Sequence, residues 1–372
     1  MNEKDQTAAS RITRGLIAVV IGIIIWSLPA PAGVKTEAMH LLGIFVATII
    51  GLILTPLPMG AVVIIGVMLT GLTDTLKVGQ ILSGFANNTV WLIVAAFLLT
   101  RGFIKTGLGR RISYLFIRAF GRRTLGLAYA IAASDLVLSP ATPSNTARAG
   151  GIIYPIVRGL TGTFGSEPGP TARKIGSYLM MMEYQAVIVT SAMFMTAQAA
   201  SPLLVELAKK TANVTISWGT WALAGIIPGL LCLIITPYLL YKIYPPEIKE
   251  TPQASALAHA ELEKMGPMKK SEKILLAVFL MILALWVTSE WNKLDATVVA
   301  LIGVGVMLLT GVISWEDVLA EKGAWDALIW FGGLVMMATG LNQLGFMKWV
   351  ANSVAGSVAG LGWFSALIIL VV

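Results

Sequence analysis

The stretch Val137–Gly151 reads Val-Leu-Ser-Pro-Ala-Thr-Pro-Ser-Asn-Thr-Ala-Arg-Ala-Gly-Gly and lies inside apolar sequence. It holds two prolines, four hydroxyl side chains, an amide, an arginine and two glycines. A helix does not run smoothly through Pro140 and Pro143, because each lacks an N–H and its ring crowds the preceding turn. In hydrocarbon every backbone N–H and C=O needs a partner, so broken helix is tolerated only where protein or a water-filled cavity surrounds it. The pattern predicts a re-entrant hairpin over 124–160 with Ser144, Asn145 and Thr146 at its tip. Backbone N–H groups and short polar side chains exposed there suit a small anion. The plainer reading is a polar loop that only turns the chain.

Composition sets the medium. Of 372 residues 56% are hydrophobic and 12% charged, and the mean hydropathy is +0.81. A soluble domain carries about 25% charged residues, so the chain reads as a polytopic membrane protein. The formal net charge of +8 matters less than its placement, because cytoplasmic loops hold the Lys and Arg excess. Cys232 is the only cysteine and sits in an apolar run, which excludes a disulfide framework and a thiol metal site. The only histidines, His40 and His259, are far apart in sequence. With no His pair, Cys cluster or paired carboxylates in the spans, a membrane-embedded enzyme is disfavoured, and no metal or cofactor is expected. The polar N-terminus lacks a small-residue cleavage site after the first apolar run, so an uncleaved first helix is expected.

Outward from the hairpin, apolar spans are expected at 15–28, 38–57, 59–72, 89–104, 218–244, 274–289, 296–309 and 327–344. Trp91 serves as an interfacial anchor, and Asn87 and Asn88 cap the span that follows them. Lys4, Arg11 and Arg14 put the N-terminus in the cytoplasm. Residues 107–123 carry Arg110, Arg111, Arg118, Arg122 and Arg123, with Ile112, Leu115, Phe116 and Phe120 at helical spacing. That pattern fits a helix lying on the cytoplasmic face, and its apolar flanks argue against a nucleic-acid role. Basic residues meet both ends of the hairpin: Arg122 and Arg123 before it, Arg158, Arg173 and Lys174 after it. Both ends are therefore expected in the cytoplasm. The apolar run 175–207 is interrupted by Thr196–Pro202, which reads as a second broken helix. Residues 245–273 form the longest polar stretch, a cytoplasmic linker. The run Met180–Met182 reads as packing.

Arg148 lies two residues past the tip. A buried charge in a membrane segment marks function by default, and a planar guanidinium fork suits a carboxylate. The alternative is that Arg148 pairs with a neighbouring acid, Asp135 or Glu183, or caps hairpin carbonyls. Either acid is also a candidate proton site.

The chain repeats itself. Val67–Gly71 reads Val-Met-Leu-Thr-Gly and Val306–Gly311 reads Val-Met-Leu-Leu-Thr-Gly. Gly102 and Gly107 close one apolar span, and Gly340 and Gly345 close another. Inverted repeats with paired broken helices are the signature of secondary transporters. The offset of 238 between Gly107 and Gly345 carries Ser144 to position 382, past Val372. The second hairpin is therefore expected to stop in its first arm, Phe364–Val372, with its tip, a second broken helix and a last span absent from this sequence. The chain by itself is expected to be inactive.

Ser-Pro-x-Thr-Pro-Ser-Asn-Thr-Ala-Arg with the following Gly-Gly, after Gly-Leu-Gly-Arg-Arg-Ile at 107–112, resembles the divalent anion/sodium symporter family over essentially the whole chain. The match is closest to its bacterial and plastid 2-oxoglutarate/malate and citrate/succinate exchanger branch. The resemblance implies an all-α polytopic inverted-repeat transporter with a re-entrant hairpin and broken helices, the second repeat incomplete. It implies a bacterial inner-membrane protein with a scaffold that forms a homodimer. The corresponding division is 1–123 scaffold helices and amphipathic helix, 124–244 transport half, 245–273 linker, 274–345 second scaffold set, and 346–372 the start of the second hairpin. In the family the Ser-Asn-Thr tip contacts substrate carboxylates, which carries over to Ser144, Asn145 and Thr146. The broken-helix loop contributes too, here Thr196, Ala197, Ser201 and Pro202.

Two departures stand out. Sodium-coupled members place a serine ligand four residues before the tip serine, where this chain has Pro140, and family members often carry Asn-Pro where it has Ser201-Pro202. The expected function is exchange of di- or tricarboxylates (2-oxoglutarate, malate, succinate, citrate or tartrate) without sodium, with Arg148 supplying the positive charge. The alternatives are a sodium-coupled dicarboxylate or sulfate symporter, and an inactive truncated product.

Overall fold

The computed structural model describes residues 8–358 and, beyond them, 361, 362, 365 and 368. Lys4 and, apart from Ser365 and Ile368, the expected second-hairpin arm Phe364–Val372 lie outside the described residues. Among the described residues the secondary structure is helical. In chain order the helices are α1 (Ala8–Trp26), α2 (Thr36–Leu54), α3 (Met59–Leu72), α4 (Val78–Ser83), α5 (Asn88–Thr106) and α6 (Leu108–Phe120). There follow α7 (Thr124–Leu138), α8 (Tyr154–Thr163), α9 (Gly176–Met193), α10 (Ala200–Ala212), α11 (Trp218–Ile243) and α12 (Pro252–Met265). The last are α13 (Lys270–Val287), α14 (Ser289–Asn292), α15 (Ala296–Leu309), α16 (Trp315–Ala320), α17 (Lys322–Gln343) and α18 (Phe346–Val358). Six described stretches are long and apolar enough to cross a membrane: α1, α2, α5, α7 with the turn after it, α11 and α17. The short spans expected at 59–72 and 296–309 coincide with α3 and α15. Asn87 caps α5 as expected, its Oδ1 accepting from Thr89 N at 2.8 Å.

The contacts divide the chain into two compact units, residues 1–90 with 325–372, and residues 91–324. In the first, α1 and α2 cross closely because both present glycine. A Cβ at Gly43 would stand 2.6 Å from the Gly22 carbonyl oxygen, the close approach that small residues allow between membrane helices. Trp26 stacks on His40 with ring centroids 4.0 Å apart. Leu41, Ile44, Leu76, Ile81, Met336, Met337 and Leu341 form the core.

In the second unit α13 packs on α15, and Phe103 of α5 meets Phe279 of α13 edge to face at 5.4 Å. Helix α12 packs along α6 and touches α8, burying Ala254, Ala258 and Leu262. The polar stretch 245–273 is thus no free linker. Arg111, expected as one of five surface charges, is buried. Its Nε donates to Glu272 Oε1 at 2.6 Å, and its Nη1 to the Gly266 carbonyl at 2.9 Å. Helices α6, α13 and α15 and nearly all of α5 lie in the second unit together with α7–α12.

The two similar stretches also have helices of similar length. Helices α3, α4, α5 and α6 have 14, 6, 19 and 13 residues, and α15, α16, α17 and α18 have 14, 6, 22 and 13. Gly107 before α6 and Gly345 before α18 both have left-handed backbones, φ 79° and 89°. Only glycine adopts that region without crowding its Cβ, which is why glycine recurs at both places.

Candidate functional site

Helix α7 ends at Leu138, a 3₁₀ turn covers Ser139–Ala141, and Thr142 is extended. Pro140 occupies the 3₁₀ turn and Pro143 the extended segment. The carbonyls left open at the end of α7 are taken by nearby hydroxyls. Ser139 Oγ donates to Leu136 O at 2.9 Å and Thr142 Oγ1 to Leu138 O at 2.6 Å, a local substitute for helix bonds. Two of the four hydroxyls in the stretch are therefore structural.

The second arm starts at Asn145. Thr146–Ile153 is a π-helical turn leading into α8. Tyr154 N–H bonds to Ala149 O, five residues back, and Pro155 lacks the N–H that would close the regular pattern. Such wide turns are frequent at functional sites.

Both arms return to one strap, Glu247–Thr251. At the start of α7, Thr124 N donates to Lys249 O at 3.0 Å and Thr124 Oγ1 to Ile248 O at 2.6 Å. Beyond α8, Ser166 folds the loop back, its N–H on Thr161 O at 2.9 Å and its Oγ accepting from Gly176 N at 2.9 Å. In the same loop Lys174 O accepts from Ile248 N at 3.0 Å. Both ends of the hairpin thus meet the same segment, as a re-entrant hairpin requires, although Thr124–Ala141 alone is long and apolar enough to span. The expected helix break at Thr196–Pro202 lies slightly earlier. Helix α9 stops at Met193, Phe194 is extended, and α10 already starts at Ala200. Pro202 falls in the first turn of α10, where a missing N–H costs nothing.

Helix α11 fixes this break. Gly225 and Gly229 leave a seat for Met193: a Cβ at Gly229 would stand 2.3 Å from Met193 Cγ. Trp221 Nε1 donates to Ala192 O at 2.9 Å, and Trp218 Nε1 to Thr196 Oγ1 at 2.9 Å. Thr196 Oγ1 in turn donates to Pro140 O at 2.5 Å, joining the helix break to the hairpin break.

Arg148 sits at that junction with its side chain fully buried. Nε donates to Asp135 Oδ1 at 2.8 Å. Nη1 donates to Thr142 O at 2.8 Å and Ala197 O at 3.1 Å. Nη2 reaches Thr190 Oγ1 at 3.2 Å, Asn145 Oδ1 at 3.3 Å and Ser191 Oγ at 3.4 Å. All five N–H groups of the guanidinium therefore have protein acceptors. Of the two candidate acids, Asp135 is the partner, and its other oxygen accepts from Thr190 Oγ1.

At the tip, Ser144 and Asn145 are half-buried and Thr146 is exposed. Ser144 Oγ accepts from Ala147 N at 3.2 Å, capping the second arm. Asn145 Oδ1 accepts from Ser191 Oγ at 2.7 Å, which leaves the Asn145 amide N–H groups without a partner among the described residues. Ala197 is buried beside Arg148, while Ser201 and Pro202 are buried in the first turn of α10, where Ser201 Oγ accepts from Gln198 Nε2 at 3.1 Å. The structure thus gathers Ser144, Asn145, Arg148, Thr196 and Ala197 through bonds. Sequence reasoning passed over Thr190, Ser191 and Trp218. The hydroxyl pair Thr190-Ser191 inside the apolar run of α9 was the available signal for the first two.

The arrangement can hold an anion at a helix N-terminus through N–H and O–H donors, above a charge pair that is neutral within itself. A family model described as the sodium:sulfate symporter transmembrane region matches residues 9–372. The chain is 54% identical over 371 residues to "Putative malate transporter YflS" of Bacillus subtilis, covering 99% of this chain and 78% of that protein. It is 46% identical over 348 residues to "Dicarboxylate transporter 1, chloroplastic" of Arabidopsis thaliana, covering 93% and 62%. It is 42% identical over 350 residues to "Inner membrane protein YbhI" of Escherichia coli, covering 92% and 73%. The chain spans less than two thirds of the length of the chloroplast relative. A match running from Ala9 through the broken hairpin to the last residue establishes that this chain belongs to the sodium:sulfate symporter family of membrane transporters.

Proposed function

We propose that the protein exchanges dicarboxylates, and tricarboxylates of similar size, across the bacterial inner membrane by alternating access, without sodium. Relatives named for malate and dicarboxylate transport support the substrate class. The observation that carries the site is the donor set at the tip. Ser144, Asn145 and Thr146 open the π-helical second arm, and the Asn145 amide N–H groups have no partner among the described residues. A helix N-terminus favours negative charge. In this reading Thr196, Ala197, Ser201 and Pro202 of the second break also contribute to the substrate site. The inverted repeat, the cytoplasmic N-terminus and a homodimer formed through the scaffold helices complete the reading.

Arg148 supports independence from sodium in a way different from a direct ion pair with substrate. Its guanidinium collects the Thr142 carbonyl, the Ala197 carbonyl and Asn145 Oδ1. These oxygens come from both breaks, and a hard cation would otherwise gather such a set. Pro140 offers no side-chain oxygen to a cation there. Since Asp135 balances Arg148, the dianion is held by hydrogen-bond donors and the helix field. Those donors are left unpaired when the site is empty, and unpaired polar groups are costly to carry through a low-dielectric barrier. The site therefore crosses only when filled, which makes exchange obligatory. Sodium-coupled symport is the second reading, favoured by the family's description.

The test is Asn145→Ala in the full-length protein. A hydrogen bond to a charged group contributes about 1.5–3 kcal/mol, so dicarboxylate affinity should fall roughly tenfold to a hundredfold with membrane insertion unchanged. Asn145→Asp keeps the acceptor for Ser191 but loses the donors, and should be at least as damaging. Near-normal exchange in proteoliposomes by either variant would reject the site.

A further inference from the structure

Helix α9 carries an acid that the site above leaves unused. Glu183 lies seven residues before Thr190, two turns along the same face. It is 4% exposed. Its Oε1 is buried with no hydrogen-bond partner, and among the described residues no hydrogen bond or ion pair reaches the carboxyl. Helix α9 is packed against α7, α8, α11 and the π-helical turn, so the groups those elements bring are the ones that matter. Asp135 of α7 is a like charge. Arg148 of the π-helical turn has all its N–H groups on Asp135, the two breaks and the Thr190 and Ser191 hydroxyls of α9. Arg158 of α8 pairs with Glu167 at the surface. Lys242 of α11 is exposed and lies 5.5 Å from the Tyr238 ring centroid. The remaining titratable groups on these helices and on α9 itself are Tyr129, Tyr154, Tyr178, Tyr184, Tyr238, Tyr241 and Cys232, none of which carries positive charge. Among the described residues of these elements no cation is left to balance an ionised Glu183, and a buried, unpaired carboxylate is strongly disfavoured against its neutral acid.

We propose that Glu183 is a proton-binding site of the transporter, neutral in the conformation seen here and ionised as the medium turns alkaline. The Asp135–Arg148 pair contributes no net charge, so ionised Glu183 would add uncompensated negative charge to the unit that must accept a dianion. Deprotonation therefore weakens dicarboxylate binding and slows exchange. The effect on exchange rests on the dicarboxylate reading above, whereas the protonation itself does not.

Two measurements on the full-length protein test this. The first is infrared spectroscopy without substrate. The wild type should show the band of a protonated carboxyl at neutral pH, and Glu183→Gln should lack it. An unchanged band would overturn the proposal whatever the transport result. The second is exchange from about pH 6 to about pH 9, a range in which free dicarboxylates are already ionised. The wild type should slow by roughly tenfold for each pH unit above its midpoint, as the protonated population falls tenfold per unit there, while Glu183→Gln should stay nearly flat and remain active at the alkaline end. A parallel fall in both proteins would overturn the role in exchange. Should the glutamine variant fail to fold, Glu183→Asp must move the midpoint of the wild-type profile, and an unmoved midpoint counts against the site. A wild type that shows the band but exchanges no dicarboxylate would sink the transport reading and the exchange role, and leave the proton site standing.

Discussion

At the scale of single residues, the Asp135–Arg148 pair decides how the site is built. Both side chains are essentially inaccessible, at 1% and 0% exposure, so removing one partner leaves a charge stranded in a low dielectric. Arg148→Met should lower stability by roughly 3–5 kcal/mol, the range for breaking a buried pair. Asp135→Leu together with Arg148→Met should recover much of that loss, because the double variant buries no charge. Thermal unfolding in detergent reads both, and a double variant less stable than either single one would contradict this role. The sequence singled out Arg148 as a buried charge and offered two roles for it, charge for the substrate or a pair with a neighbouring acid and hairpin carbonyls; the structure shows the pair with Asp135 and the bond to the Thr142 carbonyl. The choice between Asp135 and Glu183 was not legible. It depends on which face of α9 turns toward α7, and on carbonyls of Thr142 and Ala197 that any residue would supply.

At the scale of elements, prolines and glycines carried most of the readable information. Pro140 and Pro143 announced the hairpin break. Pro202 pointed to the second break but displaced it, since a proline in the first turn of a helix looks in sequence like a proline in a loop. The strap and α12 were hidden by polarity. Ala254, Ala258 and Leu262 form a helical stripe, but charged neighbours make the stretch read as solvent-exposed linker. The close packing of the turn after α4 on α17 gives a sharp test. A Cβ at Gly84 would stand 1.9 Å from the Gly332 carbonyl oxygen, backbone that cannot rotate away, whereas a Cβ at Gly79 meets nothing within 4 Å. Gly84→Ala should therefore cost about 1–3 kcal/mol or more through overpacking. Gly79→Ala, inside the helix α4, should be neutral or stabilise by about 0.5–1 kcal/mol. Equal melting temperatures for the two variants would contradict the packing described.

At the scale of the whole molecule, hydropathy and sparse charge identified a membrane protein before any motif was read. The likeness of the two stretches was visible at Gly107 and Gly345, because a left-handed backbone position leaves glycine as the residue without penalty. The grouping of α5 with α13 and α15 was not legible, because it rests on side chains distant in sequence, such as Phe103 and Phe279, fitting one another. The proposed reading joins these scales: if the guanidinium held between the two helix breaks takes the place of a coupling cation, exchange needs no sodium. Exchange of labelled external for internal dicarboxylate by the full-length protein in proteoliposomes tests it most directly, with sodium, potassium or choline as the sole monovalent cation. The account predicts equal exchange in all three and little uptake into liposomes that contain no dicarboxylate. Uptake that rises steeply with sodium, or that proceeds equally into empty liposomes, would contradict it.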